Sequence, residues 1–112
     1  MTWYKISTYL LIALGLVHIL FTPFTYHSFT LGAFWFIGTG LAIVFCGFLN
    51  LAIIKSTQKE KVAILLCSLA NVIMTVLFAL ALFLLVQPQV FIGLLLSALV
   101  TIGALKSRPI GS

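Results

Sequence analysis

A chain of 112 residues that is 63% hydrophobic and only 6% charged cannot cover a water-soluble globule, whose residues are about one quarter charged. Its mean hydropathy of +1.33 points to lipid as the solvent instead. The net charge of +5 comes from six basic residues and one acidic residue. The basic residues are scattered over three separate places, not gathered on the single basic face that nucleic-acid binding uses. They read as topology signals and as contacts for anionic lipid heads.

A bilayer core about 30 Å thick takes roughly 20 apolar residues per helix, and the chain holds four such runs. The first is predicted as a helix over 6–22, preceded by Trp3, Tyr4 and Lys5, an aromatic pair beside a lysine that suits the headgroup boundary. A basic start and this length also fit a signal peptide, but the run ends in Phe-Thr-Pro-Phe-Thr-Tyr-His with no small-residue cleavage site. A retained helix is expected. Pro23 ends it, and residues 23–30 are expected to form a polar-aromatic loop. The second helix is predicted over 31–54, long enough to cross with some tilt. The segment Lys55-Ser-Thr-Gln-Lys-Glu-Lys61 must lie in water. The third helix is predicted over 62–86. Gln87-Pro88-Gln89 then turns the chain, since Pro88 cannot continue a helix, and the fourth helix covers 90–105.

These runs predict an all-α polytopic membrane protein. The whole of 1–112 is expected to be one four-helix transmembrane domain, an antiparallel up-down bundle. With four spans, Lys5, Lys55, Lys59, Lys61, Lys106 and Arg108 all share one side, and the opposite side has no Lys or Arg. The positive-inside rule then places both termini in the cytoplasm, and this asymmetry disfavours dual topology. Location in a bacterial inner membrane is expected.

Lipid tails do not drive helices together, so small residues at fourfold spacing mark close packing. The second helix carries Gly38, Ala42, Cys46 and Asn50 on one stripe, and the third carries Ala63, Cys67, Asn71, Thr75 and Ala79. In a hairpin whose facing numbers sum to 117, Gly38 meets Ala79, Ala42 meets Thr75, Cys46 meets Asn71 and Asn50 meets Cys67. The ordinary role for Asn50 and Asn71 is to join helices by hydrogen bonds; the alternative is a polar lining for a ligand or ion. Gly93, Ser97 and Thr101 repeat the device on the fourth helix, and Gly15 lies near His18 on the first.

Apart from the cysteines, His18 is the only ionisable group well inside a predicted span, roughly 18 Å from the cytoplasmic end by helical rise. An intramembrane histidine is a functional candidate because its charged form is costly there. Its ordinary role is a neutral imidazole bonded to a neighbouring helix. His27, in the outer loop, reads as solvated. Two histidines separated across Pro23 do not suggest a haem or metal site, and no metal or cofactor is expected. Cys46 and Cys67 form no Cys-x-x-Cys pair and read as small packing residues. Glu60, between two lysines, is a solvated charge. The spans carry no acid to move protons or cations, and the absence of Asp removes the usual hydrolytic triad. No catalytic residue is expected. The aromatic residues around the first loop form an interfacial belt or, alternatively, an outward-opening pocket. The expected ligand contacts are His18, Phe21, Thr22 and Trp35.

The chain shares its size and span count with small multidrug resistance exporters but lacks their glutamate in the first helix, and it lacks the pattern of four-helix fluoride channels. Three stretches carry a different resemblance: Gly15-Leu-Val-His18-Ile-Leu-Phe-Thr-Pro-Phe-Thr-Tyr26, Phe34-Trp-Phe-Ile-Gly-Thr-Gly-Leu41 and Gly47-Phe-Leu-Asn50. They cover about the first half and resemble a family of small bacterial four-helix integral membrane proteins with no assigned activity, at most distantly DoxX-like. That resemblance implies fold and location but no function. The leading expectation is a non-enzymatic binding or accessory protein for an apolar small molecule or lipid. A structural subunit that assembles with itself or with a membrane complex is the second reading, and a small transporter or channel the third.

Overall fold

A computed structural model describes residues 2–109; of the single domain expected over 1–112, position 1 and positions 110–112 lie outside the described residues. The described chain is helical throughout its regular structure, with α1 over Thr2–Leu20, α2 over Thr22–Thr25, α3 over Leu31–Lys55, α4 over Lys61–Leu84 and α5 over Pro88–Lys106. Four of these, of 19, 25, 24 and 19 residues, are long and apolar enough to cross a membrane. At 1.5 Å per residue they run about 28 to 37 Å, which matches the hydrocarbon thickness.

The boundaries differ from the sequence expectations in instructive ways. α1 begins at Thr2 instead of near residue 6, because Tyr4 is drawn into the core and is only 1% exposed. The segment expected as a loop after Pro23 contains the single turn α2, with Pro23 in its first turn, where a missing N–H leaves no bond unmade. The same rule puts Pro88 inside the start of α5 and not in the turn before it. Thr30 caps α3 by accepting from the Ala33 N–H at 3.2 Å, which satisfies one of the orphan donors of that terminus.

Around the bundle the order is α1, α3, α4, α5, with extensive packing of α1 on α3 and of α4 on α5, and narrower seams between the two pairs. Contacts along the first pair run in opposite directions: Tyr4 meets Asn50, Ile12 lies against Gly47, Gly15 against Gly40 and Val44, and His18 against Phe36. Gly15 shows why that pair is tight. A methyl group there would stand 2.8 Å from the Gly40 carbonyl oxygen and 2.9 Å from the Val44 nitrogen, so only hydrogen at this position lets the two backbones approach so closely. Gly103 plays a comparable part between α5 and α1, leaving room for the ring of Tyr4.

All six basic side chains lie at or beyond the helix ends that this arrangement brings together, and the aromatic-rich segment 21–36 lies at the other end. The core cluster favours the basic half: Tyr4, Leu11, Cys46, Ile53, Cys67, Val100 and Ala104 are buried there with Ile43 and Leu96. Leu14, Met74 and Phe78 toward the aromatic end, and Ile54 and Ile64 toward the basic end, pack against it and are only partly buried.

Candidate functional site

Two groups of polar side chains occupy this interior, and they differ in whether their hydrogen bonds are met. The first lies in the basic half. Asn50 and Asn71 are both fully buried and exchange amide hydrogen bonds: Asn50 Nδ2 donates to Asn71 Oδ1 at 2.7 Å, and Asn71 Nδ2 donates to Asn50 Oδ1 at 2.8 Å. Each amide's second hydrogen goes to a backbone carbonyl, from Asn50 to Cys46 O at 2.8 Å and from Asn71 to Val100 O at 3.1 Å. Asn50 Oδ1 also accepts from Tyr4 Oη at 2.7 Å and from Cys67 Sγ at 3.3 Å, while Asn71 Oδ1 accepts from Cys46 Sγ at 3.1 Å. All four amide hydrogens and both oxygens are used. The cluster ties α1, α3, α4 and α5 together and leaves no free donor for a solute.

The structure therefore brings Cys46 to Asn71 and Asn50 to Cys67, with the two asparagines also bonded directly to each other. It does not bring together the rest of the two stripes. Ala42 and Ala63 are exposed, and Gly38 and Ala79 are half-buried. A methyl group at Gly38 would meet only Trp35, at 4.0 Å. The physical reason is that the close backbone contacts lie elsewhere, on the α1–α3 seam through Gly15 and Gly40, so the α3–α4 seam is held mainly by side chains at one level. Thr75 pairs instead with Thr101 of α5, 3.3 Å away, and donates to Asn71 O. Tyr4, taken from the sequence as a headgroup anchor, is the member of the cluster that sequence reasoning missed. Its signal was Gly103, a small residue on the last helix that makes room for a ring.

The second group lies at the aromatic end. His18 continues the inward stripe of α1 that begins with Tyr4, Ser7, Leu11 and Leu14. Its imidazole stacks on Phe36, with ring centroids 3.8 Å apart at 19°, and Tyr26 meets the same Phe36 edge-on. His18 Nε2 is buried and has no hydrogen-bond partner within the protein, and the same holds for Thr22 Oγ1. These two atoms belong to residues four apart, one turn along the chain. One further buried atom is without a partner among the described residues, Ser68 Oγ on α4.

Thr22, 8% exposed, lines a cavity of about 350 Å³ beneath the 26–30 segment, whose walls include Ile19, Tyr26, His27, Ala33 and Ile37. Of the four expected ligand contacts, only Thr22 lines it. Phe21 is 53% exposed and stacks edge-on with Phe24; Trp35 is 63% exposed and packs on Phe34. Both lie on the outer surface of the bundle, because Trp35 falls one residue off the inward position that Phe36 fills. His27 is exposed at the cavity rim. Among the described residues, no three His, Cys, Asp or Glu side chains gather in a way that could hold a metal ion.

A second crevice, about 370 Å³, runs along the α1–α5 seam and is walled by Leu10, Ala13, Leu14, Val17, Ile92 and Leu95 among others. It carries no polar side chain. No known protein family, curated protein or solved structure matches the chain.

Proposed function

We propose that this protein is a multi-pass bacterial inner-membrane protein, an antiparallel up-down bundle with both termini in the cytoplasm, that binds an apolar or amphipathic molecule at its outer end without transforming it. The reversed order of contacts between α1 and α3 supports the antiparallel arrangement. The concentration of Lys and Arg at one end supports the orientation. The location in a bacterial inner membrane rests on the resemblance noted for residues 15–26, 34–41 and 47–50, and four helices long and apolar enough to cross a membrane agree with a multi-pass protein.

One observation carries the binding reading. Buried polar groups in folded proteins are nearly always hydrogen-bonded, yet His18 Nε2 and Thr22 Oγ1 are buried without a partner one turn apart on the chain. In an apolar surrounding such groups carry a penalty of about 1–3 kcal/mol each, which a bound molecule with a polar head relieves. The saturated Asn50–Asn71 cluster weighs against a transport path, since its two amides offer a solute no unoccupied hydrogen.

Solvent extraction and mass spectrometry of the purified protein tests this reading. A single compound recovered near one per chain from the wild type, and lost from His18→Ala, is the expected result. A His18→Ala protein that retains its full complement sinks it. Reporters fused after residue 27 and within 56–60 test the topology, the first expected outside and the second inside.

A second reading, a subunit that assembles through α3 and α4, is favoured by a separate observation. On α4 only Cys67, Ser68 and Asn71 are buried, and the neighbouring α3 surface at Gly38 and Ala42 is open. Small residues on an uncovered membrane helix are what a partner helix packs against. Gly38→Leu then breaks an oligomer in crosslinking and leaves the extracted compound unchanged.

A further inference from the structure

The seam between α1 and α3 is regular enough to be followed to the basic end of the bundle. Three contacts fix its register: Ile19 lies against Gly40, Gly15 against Val44 and Ile12 against Gly47, and in each pair the two numbers add up to 59. The same register sets Lys5 opposite Ile54, with Lys55 next in the chain. Lys5 is two whole turns from Ile12 along α1, and Lys55 is three from Val44 along α3. Both lysines therefore prolong the faces that meet along this seam. Both side chains are exposed, and neither ammonium group has an ion-pair or hydrogen-bond partner among the described residues. The one acidic residue of the chain, Glu60, stands at the N-cap of α4 between Lys59 and Lys61.

Further along the same seam the surface is apolar or amphipathic. One turn along α1 from Lys5 comes Tyr9, 45% exposed. One and two turns along α3 from Lys55 come Leu51, half-buried, and Phe48, 50% exposed. Two cations at the ends of two membrane-crossing helices, bordering an aromatic and aliphatic surface, match the two parts of a phospholipid: a phosphate head and the chains that begin beneath it. An acidic protein segment would match the lysines but not the apolar surface that continues from them into the span.

Charge sets the class of lipid. A zwitterionic head brings a cation of its own to an end of the bundle that already carries six basic residues and one acid, so part of the attraction to its phosphate is cancelled. A net-negative head keeps all of it. No burial of the charge is needed, because both lysines lie on the exposed surface.

We propose that a net-negative phospholipid of the leaflet on the basic side docks on the α1–α3 seam, with its phosphate between Lys5 and Lys55 and its chains over Tyr9, Leu51 and Phe48. This site is independent of the binding reading for the outer end. It lies at the opposite end of the bundle and uses neither His18 nor Thr22.

The test titrates the full chain in mild detergent with dioleoylphosphatidylglycerol or with dioleoylphosphatidylcholine, which has the same chains, and counts bound lipid by native mass spectrometry. The first phosphatidylglycerol is expected to bind about tenfold tighter than the first phosphatidylcholine, since each basic residue near an anionic head contributes about fivefold. Lys5→Gln and Lys55→Gln each lower phosphatidylglycerol affinity about fivefold and leave phosphatidylcholine affinity within about twofold, which also shows that the variants are folded. Lys106→Gln removes the same charge from the other helix pair and changes phosphatidylglycerol affinity by less than about twofold, because exposed charges are screened over about 10 Å.

Equal affinity for the two lipids overturns the anionic phospholipid and leaves the lysine pair to an acidic protein segment. A loss from Lys106→Gln as large as that from Lys5→Gln overturns the site, since the attraction then belongs to the whole basic end and not to the α1–α3 seam.

Discussion

The two ends of this bundle handle the same problem in opposite ways. In the basic half, six polar or weakly polar groups from four helices meet, and each finds a partner: the Tyr4 hydroxyl, two amides, two thiols and the Val100 carbonyl. At the aromatic end His18 Nε2 and Thr22 Oγ1 are buried without a partner, one turn apart, whereas in the basic half only Ser68 Oγ among the described residues is left so. Satisfied networks hold helices in one arrangement, because any slip leaves buried groups unpaired in an apolar surrounding. Unsatisfied groups do the reverse, and they persist where something other than the protein completes them. On the proposed reading, the contrast gives architecture to one end and recognition to the other.

The comparison breaks first if the cluster proves dispensable. Asn71→Leu removes the bonds to Asn50, Cys46 and Val100 and strands their partners, so unfolding in mild detergent is expected to become easier by about 3 kcal/mol. The double substitution Asn50→Leu with Asn71→Leu strands less and is expected to lose far less than the sum of the two singles. Additive losses would mean that the amides do not face each other. Next is the seam that holds α1 to α3. Gly15→Ala forces two backbones apart and is expected to destabilise by about 1–3 kcal/mol, whereas Gly38→Ala, with open space before it, stays within about 0.5 kcal/mol of wild type. A thermal or denaturant titration of the pair decides which glycine carries the contact. A smaller loss than that of Gly15→Ala is expected of Tyr4→Phe, which deletes one hydroxyl from Asn50 and keeps the ring against Gly103; about 1 kcal/mol is expected in the same titration.

Much of the fold was open to reading because lipid imposes one rule, about twenty apolar residues per crossing, and the charges fall between the crossings. The level at which α3 and α4 meet could also be read, since Cys46, Asn50, Cys67 and Asn71 are the polar and small residues in long apolar runs. What could not be read is which seam lets backbones touch. Small residues occur on several faces of α3, and Gly38 and Gly40 lie two apart on a helix, so a fourfold pattern picks either. Only the partner chooses, and Gly15 on α1 selects Gly40.

Tyr4 was hidden for a related reason. An aromatic ring beside Lys5 looks like an interfacial anchor, and its burial depends on Gly103, almost the whole chain away. At the aromatic end, His18 and Thr22 could be picked out as polar residues in an apolar helix. Phe21 and Trp35 were grouped with them by proximity along the sequence, but a helix turns about 100° per residue. That rotation sends Trp35 outward while Phe36 stacks on His18.

The contrast between the two ends is tested most directly by the unfolding free energy of Thr22→Val in protein freed of bound lipid. Valine fills the space of threonine and removes only the hydroxyl. If that hydroxyl has no partner in the protein, the substitution leaves stability within about 0.5 kcal/mol of wild type or raises it. A loss of more than about 1 kcal/mol would mean that Thr22 is already satisfied within the fold, and the division of labour between the two ends would fail.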